Sequence, residues 1–165
     1  MKLRKKALLY DISNLAYVIA DTGDYDRHTL HRVRDICEDG NIHRVSRVLG
    51  LSYSQLLAAL LPVLGSPSIH VNHDQSASPH DYLFCFREDE GLKYSLTNER
   101  KLKIKETCHE YMVSRVLEDW LSITLPEAAD VWKFKADRAM ESLGELVSNI
   151  TVAGGFGFRR KVMPI

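Results

Sequence analysis

The chain has 165 residues, a length that fits one domain with a hydrophobic core of its own. Hydrophobic residues make up 45% of it and charged residues 27%, as expected for a folded domain rather than a disordered or fibrous chain. Lysine plus arginine and aspartate plus glutamate both number 22, so the formal net charge is zero. The basic excess typical of dedicated nucleic-acid-binding proteins is therefore absent, and affinity for phosphates would need a local patch.

Cysteine usage and the first residues indicate the compartment. The three cysteines, at positions 37, 85 and 108, are an odd number and lie far apart, which predicts reduced thiols rather than a disulfide framework. The apolar run that follows the basic start is interrupted by Asp11, so it is too short for a secretory signal. No other segment approaches the length of a membrane span. The sequence predicts a cytoplasmic protein with no membrane contact.

Two helices are predicted before residue 41. The first, over about residues 5–20, carries apolar side chains at spacings of four, three and four. These are Leu8, Ile12, Leu15 and Ile19. The second, over about residues 26–38, places Leu30, Val33 and Ile36 inward and ends near Gly40, since glycine commonly terminates helices.

The segment Val45–Leu61 has the pattern of a helix, a turn and a second helix. Gly50 supplies the turn, Leu51 plugs the core, and Ser52 caps the second helix. The inward positions on the two helices are Val45, Ser46, Leu49, Leu56, Ala59 and Leu60. Over residues 42–61 the pattern resembles the recognition unit of bacterial repressors such as the lambda Cro and lac repressor families.

The resemblance implies that the second helix enters the major groove of duplex DNA. Tyr53 and Gln55 are then the candidate base readers, and Arg44 and Arg47 the candidate phosphate contacts. Other positions on the groove-facing side, among them Leu57, Ala58 and Leu61, offer only van der Waals contact. The alternative is that these helices form a packed corner of the core.

The region of residues 66–97 predicts loops and a β-hairpin, with strands at Tyr82–Arg87 and Leu92–Leu96. It also contains several residues of metal-ligand type: His70, His73, His80, Asp81 and Cys85. Their spacing fits no standard zinc site, so we expect no metal and no cofactor. A metal-dependent enzyme centred on these histidines is a third functional hypothesis.

The C-terminal part predicts two long helices joined by a short connection. The first covers about residues 98–122, and the second follows Thr124-Leu125-Pro126-Glu127, which combines a capping box with a first-turn proline. The second helix carries a seam with a period of 3.5 residues: Trp132, Ala136, Ala139, Leu143, Leu146 and Ile150. We expect an antiparallel helix hairpin, or an interface with a partner chain through Trp132, Ala136, Leu143 and Leu146.

Taken together, the sequence predicts a single, mostly helical α+β domain of about six helices. Its subregions are residues 1–65 with the helix-turn-helix unit, 66–97 with the β-hairpin, and 98–165 with the helix hairpin and tail. The leading functional hypothesis is a non-enzymatic protein that binds duplex DNA through that unit. The alternative is an interaction or assembly module, a helix-mediated homodimer, with no nucleic-acid binding.

Overall fold

The computed structural model describes residues 2–64, 83–85 and 97–153, and helices dominate these ranges. Five α-helices follow one another along the described chain. They are α1 (Lys5–Thr22), α2 (Arg27–Arg34), α3 (Ile42–Leu64), α4 (Asn98–Thr124) and α5 (Pro126–Ala153), with a 3₁₀ turn at Asp35–Cys37 after α2. None of these helices combines the length and the apolar character that crossing a bilayer requires.

Local sequence accounts for where several helices begin. The carboxylate of Asp26 accepts hydrogen bonds from the backbone N–H groups of His28 and Thr29 at 2.8 and 2.9 Å, which caps α2. Thr97 caps α4 in the same way. Pro126 occupies the first position of α5. Proline has no backbone N–H group, but no helical hydrogen bond is lost here, because an N–H at the first position of a helix has no partner within it. The predicted start of α4 at residue 98 is thereby confirmed, and so is the proline in the first turn of α5. The predicted capping box is wrong, because Thr124 is the last residue of α4 and its hydroxyl donates to the Trp120 backbone oxygen at 3.0 Å.

The described residues contain two short strands, which pair with each other. Strand β1 (Lys2–Arg4) lies antiparallel to β2 (Leu83–Cys85), with Leu3 opposite Phe84. Strand β2 falls within the first predicted hairpin strand, but its partner in the described chain is the N-terminal segment. The second predicted hairpin strand, residues 92–96, lies outside the described residues.

Helix α3 corrects the helix-turn-helix prediction. Residues 42–64 form one continuous helix of 23 residues, and Gly50 lies within it. Ser52 is buried in the helix interior instead of capping a second helix, and Leu51 is exposed instead of plugging the core. The described chain therefore has five α-helices and not six, since two predicted short helices are one.

Because α3 is a continuous helix, replacing Gly50 by alanine is expected to stabilise the protein. A Cβ at this position would meet nothing within 4 Å, and the same is true of Gly144 in α5. Alanine is about 0.8–1 kcal/mol more favourable than glycine inside a helix. We expect Gly50→Ala to raise the free energy of unfolding by roughly that amount, measured by urea denaturation, with Gly144→Ala as the reference. A loss of stability in Gly50→Ala alone would indicate a turn at this residue.

Helix α4 is the centre of the core and contacts α1, α2, α3 and α5. Its most extensive contact is with α5, to which only Leu125 connects it, so the two helices form the predicted hairpin. Trp120 of α4 donates a hydrogen bond of 3.1 Å from Nε1 to the backbone oxygen of Val33, which ties α4 to α2. Lys5, buried at the start of α1, donates to Ser46 Oγ of α3 at 2.9 Å, and burial lowers the pKa of its amine.

Candidate functional site on helix α3

The outer face of α3 departs from a simple core-and-surface pattern. The inner face is fully buried at Leu49, Leu56 and Leu60. On the opposite side, five exposed residues follow one another at spacings of four, three, four and three. They are Arg47, Leu51, Ser54, Ala58 and Leu61. Leu51 is 61% exposed and Leu61 46% exposed, so two large apolar side chains share this face.

A groove runs beside this face, between α3 and α4, with a volume of about 550 Å³. Helix α3 contributes Val48, Leu51, Ser54, Gln55 and Ala58 to it. Helix α4 contributes Arg115, Glu118, Asp119 and Ser122. The groove thus has one mainly apolar wall and one charged wall, which is the usual anatomy of a site that accepts an apolar side chain and surrounds it with polar groups.

The polar groups along the groove are held by contacts within the chain. Arg44 donates two hydrogen bonds to Asp119, from Nε to Oδ2 at 2.7 Å and from Nη2 to Oδ1 at 3.0 Å. The hydrogen bonds to Asp119 raise the pKa of Arg44. Arg115 Nη1 donates to Glu118 Oε2 at 2.5 Å. These two pairs fix the charged rim and leave little basic charge to attract phosphates.

A third contact within the chain holds Gln55, which lines the groove. The hydroxyl of Tyr111 donates to Gln55 Oε1 at 2.6 Å, and burial raises the pKa of that hydroxyl. Ser54 donates back to the Gly50 oxygen of its own helix at 3.1 Å. Because the Ser54 hydroxyl already has an acceptor in its own helix, it needs no partner elsewhere. Its small side chain leaves space in the groove for an atom of another chain.

The four predicted DNA contacts do not share one exposed face. Arg44 and Gln55 lie on the α4 side and are engaged by Asp119 and Tyr111. Tyr53 is half-buried and packs against the core. Arg47 is exposed on the outer face of α3. Sequence reasoning did not identify Arg115, Glu118 or Asp119 as groove residues. They lie on α4, far from α3 in the sequence, and only folding brings the two helices together.

The seam predicted as an interface lies inside the chain. Trp132, Ala136 and Leu143 are buried, and Leu146 is half-buried against the same core. The third set of candidates, His70, His73 and His80, lies outside the described residues. In residues 2–64, 83–85 and 97–153, no group of three or more His, Cys, Asp or Glu side chains is arranged to hold a metal ion.

The exposed leucines of α3 and the groove beside them are thus the strongest candidate site in the described part of the chain. Of the arginines beside them, Arg44 and Arg115 are paired with carboxylates, whereas Arg47 is exposed. The chain matches no known protein-family model, and no curated protein and no solved structure shows significant similarity to it.

Proposed function

We propose that the protein is a non-enzymatic assembly module that binds a second copy of itself through the outer face of α3. The observation that carries this proposal is the row of exposed residues from Arg47 to Leu61 at alternating spacings of four and three. Such spacing places side chains along the seam of one helix that packs against another at a shallow angle. The groove beside Leu51 supplies space for side chains of the second helix.

The face is self-complementary, which favours a second copy over an unrelated partner. Two antiparallel copies of α3, related by a two-fold axis at the level of residue 56, place Leu51 opposite Leu61 of the partner subunit. They also place Ser54 opposite Ala58 of the partner subunit. A two-fold axis repeats each contact, so four leucines enclose a centre of small residues. Small residues at the centre allow the two helix backbones to approach closely.

The expected association is weak. Complete burial of a leucine side chain contributes about 1.5–3 kcal/mol, and these four are already about half buried. A contact made mainly by one helix pair falls below the area of about 1,200 Å² at which stable interfaces begin. We therefore expect a dimer whose dissociation constant lies in the micromolar range or above, and whose population depends on protein concentration.

DNA binding through Arg44, Arg47, Tyr53 and Gln55 is the competing hypothesis. It is less favoured because the Arg44 guanidinium is held by Asp119 on two sides, and a phosphate would have to replace that carboxylate. The net charge of zero supplies no general attraction to a polyanion either. The absence of a turn in α3 removes the geometry on which the repressor resemblance depends.

Sedimentation of the full chain tests the proposal at concentrations from about 10 μM to about 1 mM. We expect the wild-type mass to rise towards that of a dimer, and Leu51→Glu to stay monomeric because burying two unpaired carboxylates is strongly unfavourable. Leu102→Glu is the matched control, because Leu102 is also an exposed leucine but lies on α4, outside the proposed interface. We expect this variant to dimerise like the wild type. Unchanged circular dichroism will show that each variant is folded.

Two results would contradict this proposal. A wild-type chain that stays monomeric at every concentration would exclude self-association, and equal dimerisation of Leu51→Glu would move the interface away from α3. Titration with random duplex DNA at low and moderate salt tests the competing hypothesis. Salt-sensitive binding that is lost in Arg47→Ala would favour nucleic-acid recognition instead.

A further inference from the structure

Helix α3 contains a proline, Pro62, shortly before its end at Leu64. Proline has no backbone N–H group, so the hydrogen bond that residue 62 of an α-helix donates to the oxygen of residue 58 cannot form. The Ala58 oxygen therefore lacks its usual donor within the helix. Ala58 and Pro62 are both exposed, and Ala58 lines the groove beside α4, so the freed acceptor belongs to the surface proposed for self-association.

A donor that its own helix can spare lies one turn earlier, at Ser54. Its hydroxyl donates to the Gly50 backbone oxygen at 3.1 Å. In a continuous α-helix that oxygen also accepts from the backbone N–H of residue 54, so it keeps a hydrogen bond when the hydroxyl turns away. The Ser54 side chain points towards the N-terminus of α3, away from the Ala58 oxygen of the same chain. Only a second copy can bring the two groups together.

The antiparallel arrangement of two copies matches this donor to this acceptor. A two-fold axis at the level of residue 56 places Ser54 of one subunit opposite Ala58 of the partner subunit, and the axis repeats the pair on its other side. Both residues are small, so the helix backbones can approach closely enough for a hydroxyl to reach a backbone oxygen. A parallel pair of helices in register would set Ser54 beside Ser54 of the partner subunit, and donor and acceptor would not match.

We infer that Ser54 and the Ala58 oxygen set the orientation and register of the dimer through two reciprocal hydrogen bonds. In each, the Ser54 hydroxyl leaves the Gly50 oxygen and donates to the Ala58 oxygen of the partner subunit. This exchange needs only the rotation of an exposed side chain, which is rapid. The exposed leucines attract a second copy, but burial of apolar surface is non-directional and does not select the antiparallel pair. The inference rests on the proposed self-association and names the groups that decide how the two copies meet.

A double-mutant cycle in the full chain, measured by sedimentation, tests the inference. We expect Ser54→Ala to raise the dissociation constant of the dimer about tenfold, because it removes two neutral hydrogen bonds. Pro62→Ala should have a similar effect, since an N–H group at position 62 would then satisfy the Ala58 oxygen within its own helix. Once Pro62 is replaced, adding Ser54→Ala should change the dissociation constant by about threefold or less, because the two residues act through one hydrogen bond.

Ser122→Ala is the matched control for Ser54→Ala. Ser122 is an exposed serine that lines the same groove from α4, and its hydroxyl donates to the Asp119 backbone oxygen of its own helix at 2.7 Å. The proposed hydrogen bonds do not involve it, so this variant should dimerise like the wild type. Pro62→Ala should be at least as stable as the wild type, because proline is unfavourable inside a helix. Urea denaturation checks that a weaker dimer does not result from a less stable monomer.

The possible failures are distinguishable. The inference is overturned if the wild type dimerises and Ser54→Ala dimerises equally well. It is also overturned if Ser54→Ala weakens the dimer as much after Pro62 is replaced as before, or no more than Ser122→Ala does. Each of these results leaves the outer face of α3 as the interface. A wild-type chain that stays monomeric at every concentration would instead contradict the proposed function, and this inference with it.

Discussion

Replacing Leu143 by alanine is expected to lower the free energy of unfolding by about 2–5 kcal/mol. Leu143 lies in the middle of the α5 seam and is completely buried against the core. Its loss removes favourable burial and leaves a cavity, because long helices fixed along their length cannot close around the missing atoms. Denaturation with urea at low micromolar protein concentration, followed by circular dichroism, measures the difference.

Phe134→Ala is the matched control for this prediction. Phe134 lies on the same helix and is the larger side chain, but it is 64% exposed. Its replacement should therefore change stability by no more than about 0.5 kcal/mol. If Leu143→Ala lowered the free energy of unfolding as little as Phe134→Ala does, the seam would not be buried within the chain. The seam would then again be a candidate interface with a partner chain.

The parts of the fold that could be predicted from sequence are those with a regular apolar period and clear ends. Helix α1 buries Leu8 and Ile12, as the spacing predicts, whereas the predicted Leu15 and Ile19 are only half-buried. The face of α1 that is fully buried continues through Ala16 and Ala20 instead. Helices α4 and α5 are predicted by the Thr124-Leu125-Pro126-Glu127 boundary and the seam that follows it. These signals are local, so they survive without knowledge of the rest of the chain.

Helix α3 could not be predicted correctly, because two local signals point the wrong way. Glycine between apolar residues suggests a turn, yet a single glycine costs a helix only about 1 kcal/mol, which its packing against α4 offsets. Leu51 suggests a core position because leucine is usually buried. The structure exposes it, and an exposed leucine is a feature of binding surfaces that no local pattern distinguishes from a core residue.

The site depends on contacts between residues far apart in sequence. Arg44 and Asp119 are 75 positions apart, and Gln55 and Tyr111 are 56 apart. No spacing rule connects such pairs, so the sequence offers Arg44 and Gln55 as free to contact DNA.

A pair of alanine substitutions in α3 separates the continuous helix from the helix-turn-helix. In the continuous helix, Leu56 is fully buried and Leu51 is mostly exposed. We therefore expect Leu56→Ala to lower the free energy of unfolding by about 2–5 kcal/mol, and Leu51→Ala to change it by about 0.5 kcal/mol or less. Both are measured by urea denaturation at a concentration where the monomer predominates.

A helix-turn-helix predicts a different result, because Leu51 would then fill the core between its two helices. Leu51→Ala would in that case be about as costly as Leu56→Ala. The two variants also separate stability from association. Leu51→Ala should weaken the dimer while leaving the monomer folded, since its side chain contributes to the outer face and little to the core. A large loss of stability in Leu51→Ala would contradict both the continuous helix and the proposed use of its outer face.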